Sequence, residues 1–317
     1  MNLFPFILFF ILTFSSCTFR DNPTPVPEEK PFNKIYISFK NFKPLTNGSV
    51  YTAWVQLNNK ISIAGKFYLD TTGNVFKDST SIGFVSNALF ALSQDVGNAE
   101  RFFITLENNN DKDTIPSSLI VVSGNFINKS ATCLALTPNA INLNFNFDSS
   151  KYVLGTQTTI PSDTLPYGVW FAARIDTNHK NFNSSLNLPV LSSASDWIYE
   201  GWLRHKTQPA DEWYSMGRFT NGNVADSSKI PPMAPNQVPK SYPGEDFIYY
   251  NDTLPVNNGD FSVLVTLEPV NFKSSIPFFL KLFESDIPYL EFYKDTSLIL
   301  NSLKPEDFPS ATVRISQ

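Results

Sequence analysis

The chain has 317 residues, and its 29 Phe, 12 Tyr and 5 Trp supply enough apolar surface for substantial cores. Lys and Arg number 24 against 29 Asp and Glu, for a net charge of −5, and no basic run occurs; nucleic acid is excluded as the expected partner. Only two cysteines are present, Cys17 and Cys133, too few for a disulfide framework.

In chain order, the first feature is an apolar run, Leu3 to Leu12, broken only by Pro5 and lacking any charged side chain. It has the length of a secretory h-region and is too short to span a bilayer. It ends at Phe14-Ser15-Ser16-Cys17, small residues before a cysteine, which resembles a bacterial lipobox. The resemblance implies a signal peptide over residues 1–16 and a lipid on Cys17, which anchors the chain to the cell envelope. Thr18, rather than an Asp-type retention signal, follows Cys17, so an outer-membrane address is preferred. Residues 17–33 carry Pro23, Pro25, Pro27 and Pro31 and read as an extended tether. Its fourteen residues Thr18 to Pro31, at about 3.1 Å each, reach roughly 40 Å.

Beyond the tether the apolar period is two. Ile35 to Phe39, Arg101 to Leu106, Ile141 to Phe147, Val169 to Ile175, Ser262 to Leu267 and Ala311 to Ile315 read as strands, separated by Asn/Gly/Asp turns. One short helix is expected over Ser81 to Leu92, where Ile82, Val85, Leu89 and Leu92 fall on one face. Cys133, in an apolar stretch, reads as an inert core thiol, without a disulfide partner once Cys17 is lipidated.

The chain also repeats itself. Tyr51-x-x-Trp54, Gly65-Lys66-Phe67, Gly73-Asn74-Val75, Thr105-Leu106-Glu107 and Ile115-Pro116 return in the same order as Tyr199-x-x-Trp202, Gly217-Arg218-Phe219, Gly222-Asn223-Val224, Thr266-Leu267-Glu268 and Ile276-Pro277. The offset grows from 148 to 161 residues. The expected fold is therefore all-β: tandem Ig-like antiparallel β-sandwich domains over 34–137 and 138–317, the second with longer insertions.

On an extended strand Tyr51, Ala53 and Val55 share one face, as do Tyr199, Gly201 and Leu203. That face is apolar and points inward, its small central residue making room for a bulky side chain of the opposing sheet. Trp54 and Trp202 lie on the other face, among Thr52 and Gln56 or Glu200 and Arg204, and are expected to be partly buried. They read either as an aromatic platform for a ligand or as a cover over an apolar seam. The cover is favoured because both copies keep the Trp while its neighbours change.

Catalytic motifs are missing. No two glycines lie closer than five residues apart, which excludes G-x-G-x-x-G and G-x-S-x-G. Gly217 to Gly222 has P-loop glycine spacing but Asn223 and Val224 where Lys and Ser/Thr are required. His179 and His205 stand apart, without the partners a zinc site or triad needs. Asn108 to Asp113 is oxygen-rich but lacks the glycine and final Glu of an EF-hand, and reads as a solvated hairpin loop. Glu107 and Glu268 read as polar strand ends and Glu245-Asp246 as a polar loop. No metal and no cofactor are expected.

Taken together, Tyr51-x-Ala53-Trp54, Gly65-x-Phe67, Gly73, Thr105-Leu106-Glu107, Ile115-Pro116 and Gly124 resemble the extracytoplasmic domain of anti-sigma-K factors. The second copy resembles a related group of bacterial lipoproteins, through Gly168-Val169-Trp170-Phe171, Leu186 to Pro189, Trp197 to Trp202, Gly217 to Thr220, Ala225-Asp226-Ser227, Pro243 to Phe247 and Leu267-Glu268-Pro269. The resemblance implies a β-sandwich serving as a sensory or interaction module, without catalytic residues and without the family's sigma-binding segment. The expected function is a non-catalytic, lipid-anchored interaction module of the envelope, with an envelope protein or a glycan as partner. A carbohydrate-binding lipoprotein, using Trp202, Trp213, Tyr214, Tyr249 and Tyr250, is the alternative, and a hydrolase using surface carboxylates the second. The candidate binding residues are Trp54, Trp202, Glu200, Arg204, Trp213 and Tyr214.

Overall fold

The computed structural model describes residues 29–45, 48–77, 83–85, 88–155, 166–176, 181–228, 241–247, 254–291 and 297–317. The lipobox, Cys17 and most of the tether lie outside them, as do His179, Tyr249 and Tyr250. Residues Pro31–Gln317 form one unit, and the Met1–Lys30 unit is almost wholly outside the described residues.

The first copy supplies eight strands: β1 (Lys34–Lys40), β2 (Ser49–Leu57), β3 (Lys60–Leu69), β4 (Val75–Phe76), β5 (Leu89–Ala91), β6 (Arg101–Asn108), β7 (Ile120–Asn125) and β8 (Ser130–Leu134). The rest of the chain supplies β9 (Ser150–Gly155), β10 (Gly168–Trp170), β11 (Ala172–Arg174), β12 (Phe182–Ser184), β13 (Trp197–His205), β14 (Glu212–Phe219), β15 (Gly244–Asp246), β16 (Phe261–Pro269), β17 (Lys281–Asp286), β18 (Leu298–Leu300) and β19 (Ser310–Ser316). All their pairings are antiparallel. The fold is an all-β sandwich, as the period-two pattern requires.

One sheet runs β4-β3-β2-β6-β7-β8-β19-β1-β5. It folds over on itself: Phe39 of β1 meets Phe67 of β3 at 5.0 Å between ring centroids, although five strands separate β1 from β3 in the hydrogen-bonded order. Phe90 of β5 likewise lies over Gly65 of β3, where a Cβ would come within 2.3 Å of the ring. In the second copy the sheet β14-β13-β16-β17 is faced by β15-β10-β9-β18. Phe171, between β10 and β11, fills the space over Gly201, where a Cβ would stand 2.7 Å from its ring. The small residue at the centre of the inward face thus has the role its position predicts.

The repeat is visible in the ladders. The order β3-β2-β6-β7 of the first copy returns as β14-β13-β16-β17. The register slips at matching places, after Ala53 and at Gly201, and again before Thr105 and before Thr266. The first hairpin closes with Asn58 and Asn59, both at positive φ, the two-residue turn that fits the twist of a hairpin. The second replaces that turn with 206–211, which accounts for the first growth of the offset.

Three expectations need correction. β19 lies between β8 and β1, from Lys34↔Ser316 to Lys40↔Ser310, so the C-terminal strand completes the first copy's sheet although it falls in the second half of the sequence. Its alternating Ala311, Val313 and Ile315 are buried against that core. The segment Ile141 to Phe147 keeps its alternation but joins no ladder; Phe145 and Phe147 pack on Phe308, so side chains rather than strand edges hold it. Within the span expected to be helical, Leu89–Ala91 forms β5 on β1 instead. The free edge of β1 pairs with this segment, overriding a short amphipathic pattern.

Candidate functional site

Most of the face singled out in the sequence is sealed. Trp54 and Trp202 are each 1% exposed, which corrects the expectation of partial burial. The Trp54 Nε1–H donates to Thr105 Oγ1 at 2.7 Å, and that hydroxyl donates to Glu107 Oε1 at 2.5 Å. Glu107 Oε1 also accepts the Ser117 N–H at 2.8 Å. The second copy repeats the relay. Trp202 Nε1–H reaches Thr266 Oγ1 (3.1 Å) and Glu268 Oε1 (3.0 Å), Thr266 donates to Glu268 (2.8 Å), and the Phe278 N–H donates to Glu268 (3.1 Å). Glu107 and Glu268 are therefore buried acceptors, not polar strand ends. A carboxylate can be buried here because hydroxyl and backbone donors converge on it, joined in the second copy by the indole N–H.

The copies diverge around this relay. Opposite Thr52 stands Lys66, whose ammonium donates to Asp111 O at 2.6 Å. In the second copy the same two places hold Glu200 and Arg218. Arg218 donates through Nε to Glu200 Oε2 (2.7 Å), through Nη2 to Glu268 Oε2 (3.3 Å) and to Phe272 O, and through Nη1 to Val270 O (2.9 Å). One guanidinium thus bridges two buried carboxylates. Burial first, and the neighbouring Glu200 charge second, push the Glu268 carboxyl up to about 7. In the first copy Thr52 Oγ1 is buried without a hydrogen-bond partner among the described residues.

Glu245-Asp246 is also not a loop. It forms β15 on β10, and burial pushes Glu245 up to about 7. Asp226 ties this strand to the preceding motifs: it accepts the Gly244 N–H (2.7 Å) and the Ser228 N–H (2.6 Å). Its Oδ1 packs so closely on Gly217 (φ +93°) that a Cβ there would clash with it. Cys133 is buried, with its thiol pushed up to about 12 by that burial, in keeping with an inert core group. The Asn108 to Asp113 loop turns its oxygens on its own backbone, with Asn108 accepting from Asn110, Asp111 from Asp113 and Asp113 from Ile115. His205 is half-buried, stacked on Phe261 and 3.3 Å from Glu212.

What remains accessible lies at the open end of the same face. Arg204 and Trp213 pair across β13 and β14, with the guanidinium carbon 5.6 Å from the indole centroid. Asp211 pins Arg204: its Oδ2 accepts from Nε (2.9 Å) and forms an ion pair with Nη2 (2.6 Å). The two line a cleft of about 340 Å³ with Lys43, Ile276, Pro277, Phe278, Phe279 and Lys281. The corresponding pair in the first copy is Gln56 and Ile61, and Lys281 corresponds to Ile120. Tyr214, one residue along, points the other way: it packs on Phe247 and donates to Glu212. Of the six candidate residues, then, Arg204 and Trp213 share a surface site, Trp54, Trp202 and Glu200 are core, and Tyr214 is half-buried elsewhere. Lys43, Lys281 and the Ile276-Pro277 turn were missed, because the strand order β14-β13-β16-β17 and the packing of Lys43 from the first copy, rather than any local pattern, bring them beside Trp213.

Two larger clefts offer less. One of about 700 Å³ borders the turn Thr71 to Asn74, where Thr72 and Asn74 are already bonded to Asp70. Another of about 540 Å³ mixes Glu107 and Asp111 with Lys273.

No protein-family model matches the chain, and neither a curated protein nor a solved structure matches it. The functional reading therefore rests on the sequence motifs and on the geometry above.

Two outcomes follow. Thr105→Val leaves the Trp54 indole without its acceptor and is expected to cost about 1–3 kcal/mol in urea unfolding. Thr266→Val leaves Trp202 within reach of Glu268 Oε1 and is expected to cost about 1 kcal/mol or less. The second outcome concerns pH. Glu268 binds its proton more tightly folded (about 7) than at its ordinary 4.5, so its contribution is full below pH 4.5 and is lost as pH rises to 7. Glu245 acts in the same direction and window. Unfolding free energy measured from pH 4.5 to 7 should fall from these groups, and Glu268→Gln should flatten the slope.

Proposed function

We propose that this protein is a non-enzymatic binding lipoprotein of the bacterial cell envelope, anchored through Cys17, in which the double sandwich is a rigid frame and the Trp213 cleft is the ligand site. The observation that carries this reading is the contrast between the copies. The Trp–Thr–Glu relay is kept in both, as a scaffold would be. The surface beyond it changes from Gln56, Ile61 and Ile120 to Arg204, Trp213 and Lys281. An aromatic ring, apolar walls and a few placed charges are the usual constitution of a binding site. The sensory or interaction role implied by the resemblance to anti-sigma-K extracytoplasmic domains needs such a site. The hydrolase alternative is weakened at one pair of neighbouring carboxylates, Glu200 and Glu268, because they are buried and bridged by Arg218.

The reading is tested by placing a benzoylphenylalanine photo-cross-linker at Ile276, 43% exposed at the cleft, and, as a control, at Ile127, 74% exposed. In intact cells, adducts are expected from position 276 alone, in the membrane fraction, and Cys17→Ser should move the chain out of that fraction. Equal adducts at both positions, or none at 276, would contradict the cleft. An unchanged distribution of Cys17→Ser would contradict the anchor.

A further inference from the structure

We propose that the Trp213 cleft binds an acidic saccharide; the inference rests on the cleft being the ligand site and adds the chemistry of its ligand. In a chain with an excess of acidic residues, three cations, Lys43, Arg204 and Lys281, line this cleft and no carboxylate does. Arg204 is pre-positioned: Asp211 takes its Nε and one Nη, while Nη1 has no hydrogen-bond partner among the described residues. Holding the side chain in advance removes much of the ordering cost of binding. Lys43 is exposed and makes no ion pair among the described residues, whereas Lys281 is held 2.8 Å from Glu284. The apolar part includes the Trp213 and Phe279 rings and Pro277. Such surfaces stack on the C–H faces of a sugar ring, and the cations meet its carboxylate, sulfate or phosphate.

An acidic peptide shares the charge but not the fit. Peptides laid along a sheet draw affinity from main-chain hydrogen bonds. Here Phe278 N–H is spent on Glu268, Lys281 N–H on Phe279 O, and Pro277 has none. The main chain at 277, 278 and 281 therefore offers a peptide no N–H donor. The first copy has neither the aromatic nor the cations at these positions, so the second copy supplies the specificity and Lys43 reaches it from the segment after β1.

The experiment uses the full-length chain in detergent and measures binding to polygalacturonate, to its fully methyl-esterified form and to poly-glutamate. Polygalacturonate should bind, and the ester and the polypeptide should each be weaker by about tenfold, the worth of one strong charged contact. Lys43→Gln and Arg204→Gln should each weaken polygalacturonate binding by several-fold with little change in the thermal midpoint, and Trp213→Ala should remove it. Lys43 makes no ion pair to lose, so its variant keeps the test sound if the others unfold. Equal binding of poly-glutamate, undiminished binding by Lys43→Gln, or no binding of polygalacturonate would overturn the assignment. If polygalacturonate fails while Ile276 still forms adducts, the saccharide falls and the binding cleft stands; if both fail, both fall.

Discussion

Each half of this molecule is organised around a glutamate that has been taken out of water. Glu107 and Glu268 sit beneath a tryptophan at the centre of a sheet, where an unpaired carboxylate would be untenable. The solution is shared: in both copies a threonine hydroxyl and a backbone N–H from the next loop donate to one glutamate oxygen, and the indole N–H donates to that hydroxyl, reaching the glutamate itself only in the second copy. The donors come from strands β2 and β6, or β13 and β16, and from the loop that follows. The relay therefore fixes the strand register, the rotamer of the Trp and the path of the turn together. That is a physical reason for both copies to keep tryptophan, threonine and glutamate while the remaining polar positions drift.

The second oxygen of the glutamate is where the copies separate. In the second copy Arg218 bridges Glu268 and Glu200, so the core there holds two carboxylates and one guanidinium, and one carboxyl titrates near neutrality. In the first copy Lys66 swings to Asp111 O, which corresponds to the Phe272 O reached by Arg218. The two halves are also not sequential beads. β19 lies between β8 and β1, Tyr51 meets Phe279 at 6.4 Å, and both cores belong to one cluster. The first sheet is complete only when the last residues of the chain arrive.

The sequence carries the strands, the duplication and the inward face legibly. Tyr51, Ala53 and Val55 are buried as alternation requires, and Gly201 accommodates Phe171. It is silent where alternation stops being informative. Thr52 and Trp54 are as buried as their neighbours because β2 is covered on both faces, and a polar residue on a covered strand looks the same as one facing solvent. The role of Glu268 depends on Arg218, fifty residues away, and on the Phe278 N–H, a pairing no local pattern encodes. The cleft is harder still: Arg204 and Trp213 are a cross-strand pair, but Lys43 and the Ile276-Pro277 turn reach them only through tertiary packing. Local helical spacing at Leu89 likewise gave way to the open edge of β1.

The central claim is that both tryptophans are locked into buried hydrogen bonds and belong to the scaffold, leaving Trp213 at the surface. Solvent exchange of the three indole N–H protons, followed by NMR after transfer to heavy water, tests it directly. Trp54 and Trp202 should exchange as slowly as the core amides of β6 and β16, and half-exposed Trp213 should exchange early. Exchange of Trp54 or Trp202 as fast as Trp213 would contradict the account.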